Sequence, residues 1–364
     1  MRASAHRLFP FKPVALPPRQ ALIRSQWRRR GSPWALPRAT TQRGAPATEG
    51  QTVQLQTPRT RHRSVRTPAT PSAGAPSPRA KGQPPLLQQA RLPAVPSTLL
   101  IPLAARARGD RYFPWLACGD AVAADLLERL GADVEPYLDD LPTVLNVLWR
   151  TRFIRDTAQG FFLMHPQGQG VNLGCGLSHH FQWLDTGANH WLDADLPEVV
   201  ALRRQLLPAH SPRTRLAEVD ISQPGWWQRL GLPARDTQGG TPAQPVLVLC
   251  EGVLMYLEPA QVEAVLHEFA QCAPAGSRLV LDVLTHRAVG RACRHPSVGP
   301  TGAEFRWGVA RLADLPAAHP RLALLHAHSV AECYGWAGLA LETLWWPWLG
   351  APLYGMATLG VEGV

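Results

Sequence analysis

Lysine is almost missing from this chain. Lys12 and Lys81 stand alone among 37 basic side chains, so nearly all the positive charge is arginine. Cysteine is sparse as well: six in 364 residues, at Cys118, Cys175, Cys250, Cys272, Cys293 and Cys333. None forms a C-x-x-C pair, which excludes a thioredoxin-like motif and a paired-cysteine zinc ribbon. Scattered single cysteines in a long chain predict reduced thiols in the cytoplasm. No stretch approaches the roughly 18 to 20 uninterrupted apolar residues of a membrane span. The most apolar run, Trp345-Trp346-Pro347-Trp348-Leu349, is broken by proline. Acids are nearly absent from the first quarter: residues 1–96 hold 17 basic side chains against the single acid Glu49. The remainder holds 20 basic and 26 acidic side chains, so the net charge of +10 belongs to the tail. The rest of the chain lacks the charge footprint of a nucleic-acid-binding domain.

Residues 1–96 are rich in Pro, Arg, Ser, Thr and Ala and carry neither helical nor strand periodicity. Such a composition buries too little apolar surface to offset ordering entropy, so a disordered tail is expected. An over-extended start would explain it equally well. Its Arg-rich opening looks superficially like a transit peptide, but Pro10, Pro13, Pro17 and Pro18 oppose an amphipathic helix. Nucleic-acid binding through the tail is the alternative reading. Residues 97–364 are expected to form one domain.

There the patterning becomes regular. Thr98–Arg108, Ala121–Leu130 and Thr143–Met164 have apolar residues at helical spacing. Strands are expected at Gly170–Leu173, His190–Leu192, Arg215–Ile221, Pro245–Cys250 and Arg278–Leu284. Helices are expected between them at Phe181–Leu184, Pro197–Leu207 and Glu258–Ala273. Leu339–Trp346 and Leu353–Val361 are candidate final strands. Strand and helix in alternation predict an α/β fold, a mostly parallel sheet with helices on both faces.

The first strand runs into VNLGCGLSHHF. Gly174 and Gly176 would let the backbone bend sharply and meet a ligand with no Cβ between. A tight turn without a ligand is the bland alternative. The third glycine of a dinucleotide-binding G-x-G-x-x-G would fall at position 179, which is His179. A pyrophosphate cradle is therefore disfavoured. Asp193 and Asp195 lie 19 and 21 residues past Gly174, at the end of the second strand. An acid there can accept hydrogen bonds from ribose hydroxyls, or it can cap the helix at Pro197. Asp220 ends the third strand and suits an exocyclic amine. Glu251 ends the apolar run PVLVLC, and a carboxylate at such a tip needs a reason. Acidic strand ends without a phosphate cradle suit a cationic, sugar-bearing cofactor: S-adenosylmethionine.

VNLGCGL, LDADLPEVVALRRQLLP, EGVLMYL and EFRWGV, in that order, resemble the leucine carboxyl methyltransferase-like family, in its bacterial branch with polyketide O-methyltransferases. TLLIPLAARAR is similar to that family's N-terminal helix. The resemblance covers about residues 97–364. It implies a Rossmann-like class I methyltransferase fold, with a seven-stranded sheet whose last strand is inserted antiparallel. It implies that Gly174, Cys175 and Gly176 form the cofactor loop, that Asp195 binds the ribose, and that Asp220 with Ile221 holds the adenine. Glu251 would meet the ammonium of the cofactor, and Arg150 its carboxylate. Arg106 matches the position of another basic contact. One departure stands out. The bacterial pattern Leu-Asp-Thr-Arg is replaced here by Leu177-Ser178-His179-His180, which lacks an acid and an arginine.

Methyl transfer asks the protein to align nucleophile and methyl and to exclude water. A carboxylate acceptor, with a pKa of roughly 4, is already ionised and needs a grip rather than a base. Tyr256 is the candidate for touching the acceptor, against the plainer reading of a core tyrosine. A phenol or alcohol would ask for a base, and His179 or His180 could serve. Neighbouring residues on a helix diverge by about 100°, so this pair is a poor metal chelate, and no metal is expected. Cys175 fits its loop by small size rather than as a nucleophile. Trp226, Trp227, Trp345, Trp346 and Trp348 are expected mostly as core or domain-lid residues, with a few walling an apolar acceptor pocket, as segment 286–310 would do as a lid. The conclusion from sequence is an O-methyltransferase acting on a carboxylate or hydroxyl of a small molecule. A nucleotide-dependent oxidoreductase is the rival enzyme, disfavoured by the missing glycine.

Overall fold

The computed structural model describes residues 96–207, 211–235 and 243–363. The chain divides into two units, residues 1–78 and 79–364, and every described residue lies in the second. All but the last residue of the expected tail therefore falls outside the described residues.

Seven strands form one sheet in the order β3-β2-β1-β4-β5-β7-β6. They are β1 (Gln169–Leu173), β2 (His190–Asp195), β3 (Thr214–Glu218), β4 (Val246–Cys250), β5 (Arg278–Leu284), β6 (Leu322–Ser329) and β7 (Tyr354–Val361). The first five pair in parallel, and β7 runs antiparallel to both β5 and β6. The α/β fold with an inserted antiparallel strand, expected from the sequence, is what the chain adopts.

The alternation of β4 shows why both faces are covered. Val246, Val248 and Cys250 enter one apolar core, and Leu247 and Leu249 enter another. All five are buried, as a central parallel strand requires. Helix α3 (Leu141–Met164) closes one face, together with α1 (Leu100–Arg108) and α2 (Ala121–Leu130), and α5 (Pro259–Cys272) packs on the opposite face. Helix α4 (Pro197–Leu206) crosses from β2 to β3. Local chemistry sets these boundaries. Asp120 accepts a hydrogen bond from Ala123 N at the start of α2, Asp140 does the same for Thr143 N at α3, and α5 opens with a Glu258/Gln261 capping box. Pro197 begins α4, where its missing N–H costs nothing.

Two expectations need correction. Residues 339–346 are helical, inside α6 (Gly335–Leu349), and the strand beside β7 is Leu322–Ser329. The run is mostly apolar but for Glu342 and Thr343, and its Leu339-x-Leu341 spacing fits a strand as well as a helix; Leu339, Leu341, Leu344 and Trp348 of α6 are exposed. Trp226 and Trp227 are core residues and Trp348 is exposed, while the side chains of Trp345 and Trp346 lie outside the described residues. Strand β3 stops at Glu218 instead of Ile221. The chain turns there because the Asp220 carboxylate accepts from Ser222 N at 2.9 Å.

Candidate active site

Strand order reverses between β1 and β4, and ligands of such sheets lie beyond the carboxyl ends at that point. There β1 gives way to Gly174-Cys175-Gly176. Gly174 and Gly176 have φ of 62° and 49°, which L-residues rarely adopt. Space demands glycine as well. A Cβ on Gly174 would strike the Val253 side chain, and one on Gly176 would stand 2.7 Å from Leu99 Cδ2.

The bend is held from beneath. Asp195, at the end of β2, accepts from Gly176 N at 2.7 Å and from Leu196 N at 2.8 Å. Arg203 reaches down from α4 and donates to Gly176 O at 2.8 Å and Ser178 O at 2.6 Å. Its other nitrogen pairs with Asp193 at 2.6 Å. Asp193 also accepts from Trp191 Nε1 and Asn172 Nδ2, at 3.0 and 3.1 Å. Asp193 is thus bound into the support, and neither acid caps α4, whose N-cap Leu196 has no side-chain hydrogen bond.

Above the bend lies a cavity of about 440 Å³. Arg106, Arg150, Gly174, Cys175, Gly176, Glu251 and Tyr256 all line it. Seven residues picked from sequence thus meet in one place. Asp195 stands directly behind the bend, outside the wall. Asp220 is exposed and Ile221 is buried in the core on the far side of β3, and neither reaches the wall.

The floor is a network of paired charges. Arg150 Nε donates to Glu251 Oε1 at 2.6 Å, and its Nη1 donates to Tyr354 Oη at 2.8 Å. Tyr354 Oη in turn donates a hydrogen bond to Asp282 Oδ2 at 2.8 Å. His180 Nε2 lies 3.2 Å from Glu251 Oε2. Burial alone would raise the Glu251 pKa, but Arg150, His180 and Arg106 outweigh it and hold this carboxyl well below its ordinary range. Burial would likewise lower Arg150, but Tyr354, Glu251 and Asp282 hold it well above its usual value. Burial pushes Asp195 up despite the two N–H donors. Cys175 is pushed well up by burial, so no thiolate forms in the bend. Arg106 is buried and fixed by Asp120 at 3.1 Å.

The upper wall is mostly apolar, with Leu99, Ile101, Val298, Phe305, Val330 and Leu353 around the polar Thr143, Asn146 and His295. Tyr256 stacks at a tilt on Phe305, with centroids 5.9 Å apart. Burial pushes its phenol up to about 12, against the pull of Arg150 and Thr98, so it stays a donor. Segment 286–310 supplies His295, Val298 and Phe305 to the cavity lining. His180 is buried beside Glu251, and neither it nor His179 lines the cavity. Sequence reasoning missed Tyr354, Asp282, Arg203 and His295. Arg203 alone had a signal: an arginine on the inner face of an amphipathic helix.

The site suits S-adenosylmethionine on two counts. The glycine bend lines the cavity with backbone free of side chains, and the floor offers an ionised carboxylate with two arginines to a molecule bearing cationic and anionic groups. The model of the family described as leucine carboxyl methyltransferase matches residues 102–270. A tetracenomycin polyketide synthesis O-methyltransferase of Streptomyces glaucescens is 30% identical over 233 residues, 64% of this chain and 82% of that one. An S-adenosyl-L-methionine-dependent methyltransferase of Gibberella zeae is 25% identical over 276 residues, 68% of this chain and 89% of that one. A solved O-methyltransferase family protein of Burkholderia thailandensis aligns with 72% of each chain at 15% identity and a TM-score of 0.39. The methyltransferase relatives displace the oxidoreductase alternative. On the family match and the two sequence relatives, the chain belongs to the leucine carboxyl methyltransferase family of S-adenosylmethionine-dependent methyltransferases.

Proposed function

We propose that this methyltransferase moves its methyl group onto an oxygen, carboxylate or hydroxyl, of a small organic molecule. The observation that carries the reading is that one cavity joins the glycine bend and charged floor to an apolar upper wall bearing a few polar groups. The Streptomyces glaucescens relative, an O-methyltransferase of polyketide synthesis, supports oxygen as the acceptor atom.

When bound, S-adenosylmethionine supplies an electrophilic methyl on a sulfonium. Gly174, Cys175 and Gly176 give it bare backbone to lie against. Glu251, kept ionised by Arg150 and His180, takes the ammonium end. Arg150 Nη2 has no partner among the described residues and is left for the carboxylate, with Arg106 beside it. Asp195 is assigned to the ribose, and Asp220 with Ile221 to the adenine, on the family resemblance. The apolar upper wall excludes water from the reacting atoms, and Tyr256 donates a hydrogen bond to the acceptor. The partner is a small-molecule acceptor, and the six unpaired thiols suit a reducing compartment, so we place the enzyme in the cytoplasm.

Calorimetry of the full chain with S-adenosylmethionine and S-adenosylhomocysteine is the first test. A labelled methyl donor with aromatic acids and phenols as acceptors is the second. Failure to bind either nucleoside would refute the reading. Methylation confined to nitrogen or sulfur would overturn its oxygen specificity.

A further inference from the structure

Helix α6 carries a surface that the methyl-transfer site does not use. Its 15 residues include one charged side chain, Glu342, whose carboxylate accepts from Ser329 Oγ at 2.6 Å. A Cβ on Gly338, one turn earlier, would strike Ala331 O and the Tyr334 side chain. Gly338 and Glu342 are four residues apart and so mark the face turned to the protein. The other side is bare: Trp336, Leu339, Leu341, Leu344 and Trp348 are all exposed. At about 100° per residue they spread over roughly 200° of the circumference. Trp336 and Trp348 alone, 84% and 74% exposed, leave on the order of 300 Å² uncovered. The leucines bring the patch to the top of the roughly 300–600 Å² found for the largest patch on an ordinary monomer.

Charge and position say what covers it. Arg287 Nη2 donates to Trp348 O at 3.0 Å, which sets this arginine against the end of α6. Residues 286–311 hold five arginines and one acid, Glu304. Arg306 is paired with Glu258 and Arg311 with Asp314. Arg287, Arg291 and Arg294 are exposed, with no ion pair among the described residues. An apolar helix edged by unpaired arginines complements an anionic lipid surface. At about 22 Å, α6 is shorter than the roughly 30 Å hydrocarbon core, and no described helix is long and apolar enough to cross a membrane. It fits the interface and does not span. A second copy fits less well. It would cover one side of the helix only, and a two-fold contact would set the arginine edge against itself. Lipid closes round the whole arc. Tyr334 and Leu353 flank α6 in the chain, are both exposed, and line the cavity roof with Val330. The mouth of the cavity thus opens beside this helix.

We propose that α6 is a membrane-contact helix. Its outer face lies in the headgroup layer of an anionic lipid surface, with Arg287, Arg291 and Arg294 on the phosphates and the cavity mouth turned to the lipid. The docking goes beyond the methyl-transfer reading and does not depend on it.

Flotation of the full chain with phosphatidylglycerol–phosphatidylcholine vesicles tests it. The basic residues 1–96 also attract such vesicles, so binding is measured at about 0.5 M salt, where that attraction is largely screened. Binding should persist there, and Trp336→Glu with Leu344→Glu should weaken it tenfold or more, with an unchanged melting temperature. In low salt, Arg291→Gln with Arg294→Gln should weaken binding to these vesicles severalfold and leave pure phosphatidylcholine binding alone. A second readout needs no charged substitution. Phosphatidylcholine brominated near the headgroup should quench tryptophan fluorescence less in Trp336→Phe than in the unmodified chain. No binding at high salt, binding indifferent to the glutamates, or equal quenching in both proteins overturns the proposal. So does a stable lipid-free dimer, by sedimentation velocity, that the glutamates dissociate, because the face would then belong to a second copy.

Discussion

Glu251 and His295 line the same cavity, yet their surroundings have little in common. Glu251 sits at a strand end, clasped by Arg150 at 2.6 Å and by His180 at 3.2 Å. Around it the floor is charge against charge: Arg203 on Asp193, Arg106 on Asp120. His295 lies in irregular chain among apolar neighbours, and neutral hydroxyls and a backbone N–H hold it. Buried charge is tolerated only when paired and hydrogen-bonded. The floor therefore has to be assembled on regular elements that fix geometry, and it suits a ligand of constant structure. The roof takes His295, Val298 and Phe305 from irregular chain, where changes of shape cost less, beside Thr143 and Asn146 of α3. A methyl donor common to many reactions belongs on the first, and a particular acceptor belongs under the second.

The sharpest way to break this contrast is at Glu251. Glu251→Ala leaves Arg150 and His180 without their shared carboxylate, and a loss of about 3–5 kcal/mol in urea unfolding is expected. A loss below about 1 kcal/mol would show that the floor is not held by charge pairing. The same group sets an acid limb. Its folded pKa is depressed, so its contribution is complete above the ordinary carboxylate range and disappears as pH falls toward the folded value. Asp195 and Asp282 have raised values and work in the opposite sense. Subtracting the stability–pH curve of Glu251→Gln from that of the unmodified chain should isolate a term that shrinks on acidification.

Next comes the bend. Gly174→Ala forces a Cβ into left-handed backbone and into Val253, which should cost about 1–3 kcal/mol and abolish cofactor binding by calorimetry. Asp195→Ala should weaken S-adenosylmethionine by about 1–3 kcal/mol, and Asp195→Asn by less, because one acceptor for Gly176 N remains. An unchanged affinity would detach Asp195 from the donor half. On the roof, Tyr256→Phe should lower acceptor kcat/KM by roughly tenfold and leave cofactor affinity alone. The smallest effect belongs to Asp220→Ala. This exposed side chain should change stability by less than about 0.5 kcal/mol, and a large drop in cofactor affinity would draw it into the site despite its distance from the wall.

The sequence made the same half of the site readable. Gly174, Gly176 and Glu251 announce themselves because glycines at a strand end and a lone charge after an apolar run have few alternative explanations, whereas Arg150 was singled out only by the family resemblance. The parallel sheet was equally plain in runs such as VLVLC, where every residue is apolar and each face receives its share. What stayed hidden depends on distant neighbours. Tyr354 lies 204 residues from Arg150 in sequence, and their bond leaves no local trace. His295 looks like any surface histidine until Val298 and Thr143 are seen beside it. Asp193 and Asp195 could not be separated, because the difference lies in which one Arg203 reaches. Helix α6 was misread because its mostly apolar run has a spacing that fits a strand as well as a helix.

Gly176 is gripped at both ends of its own residue: its N–H by Asp195 and its C=O by Arg203. Such a residue has almost no freedom to surrender when a guest arrives. Docking there should demand little further ordering of the main chain, and crystals grown with and without a nucleoside should superimpose closely at this peptide even where the roof shifts.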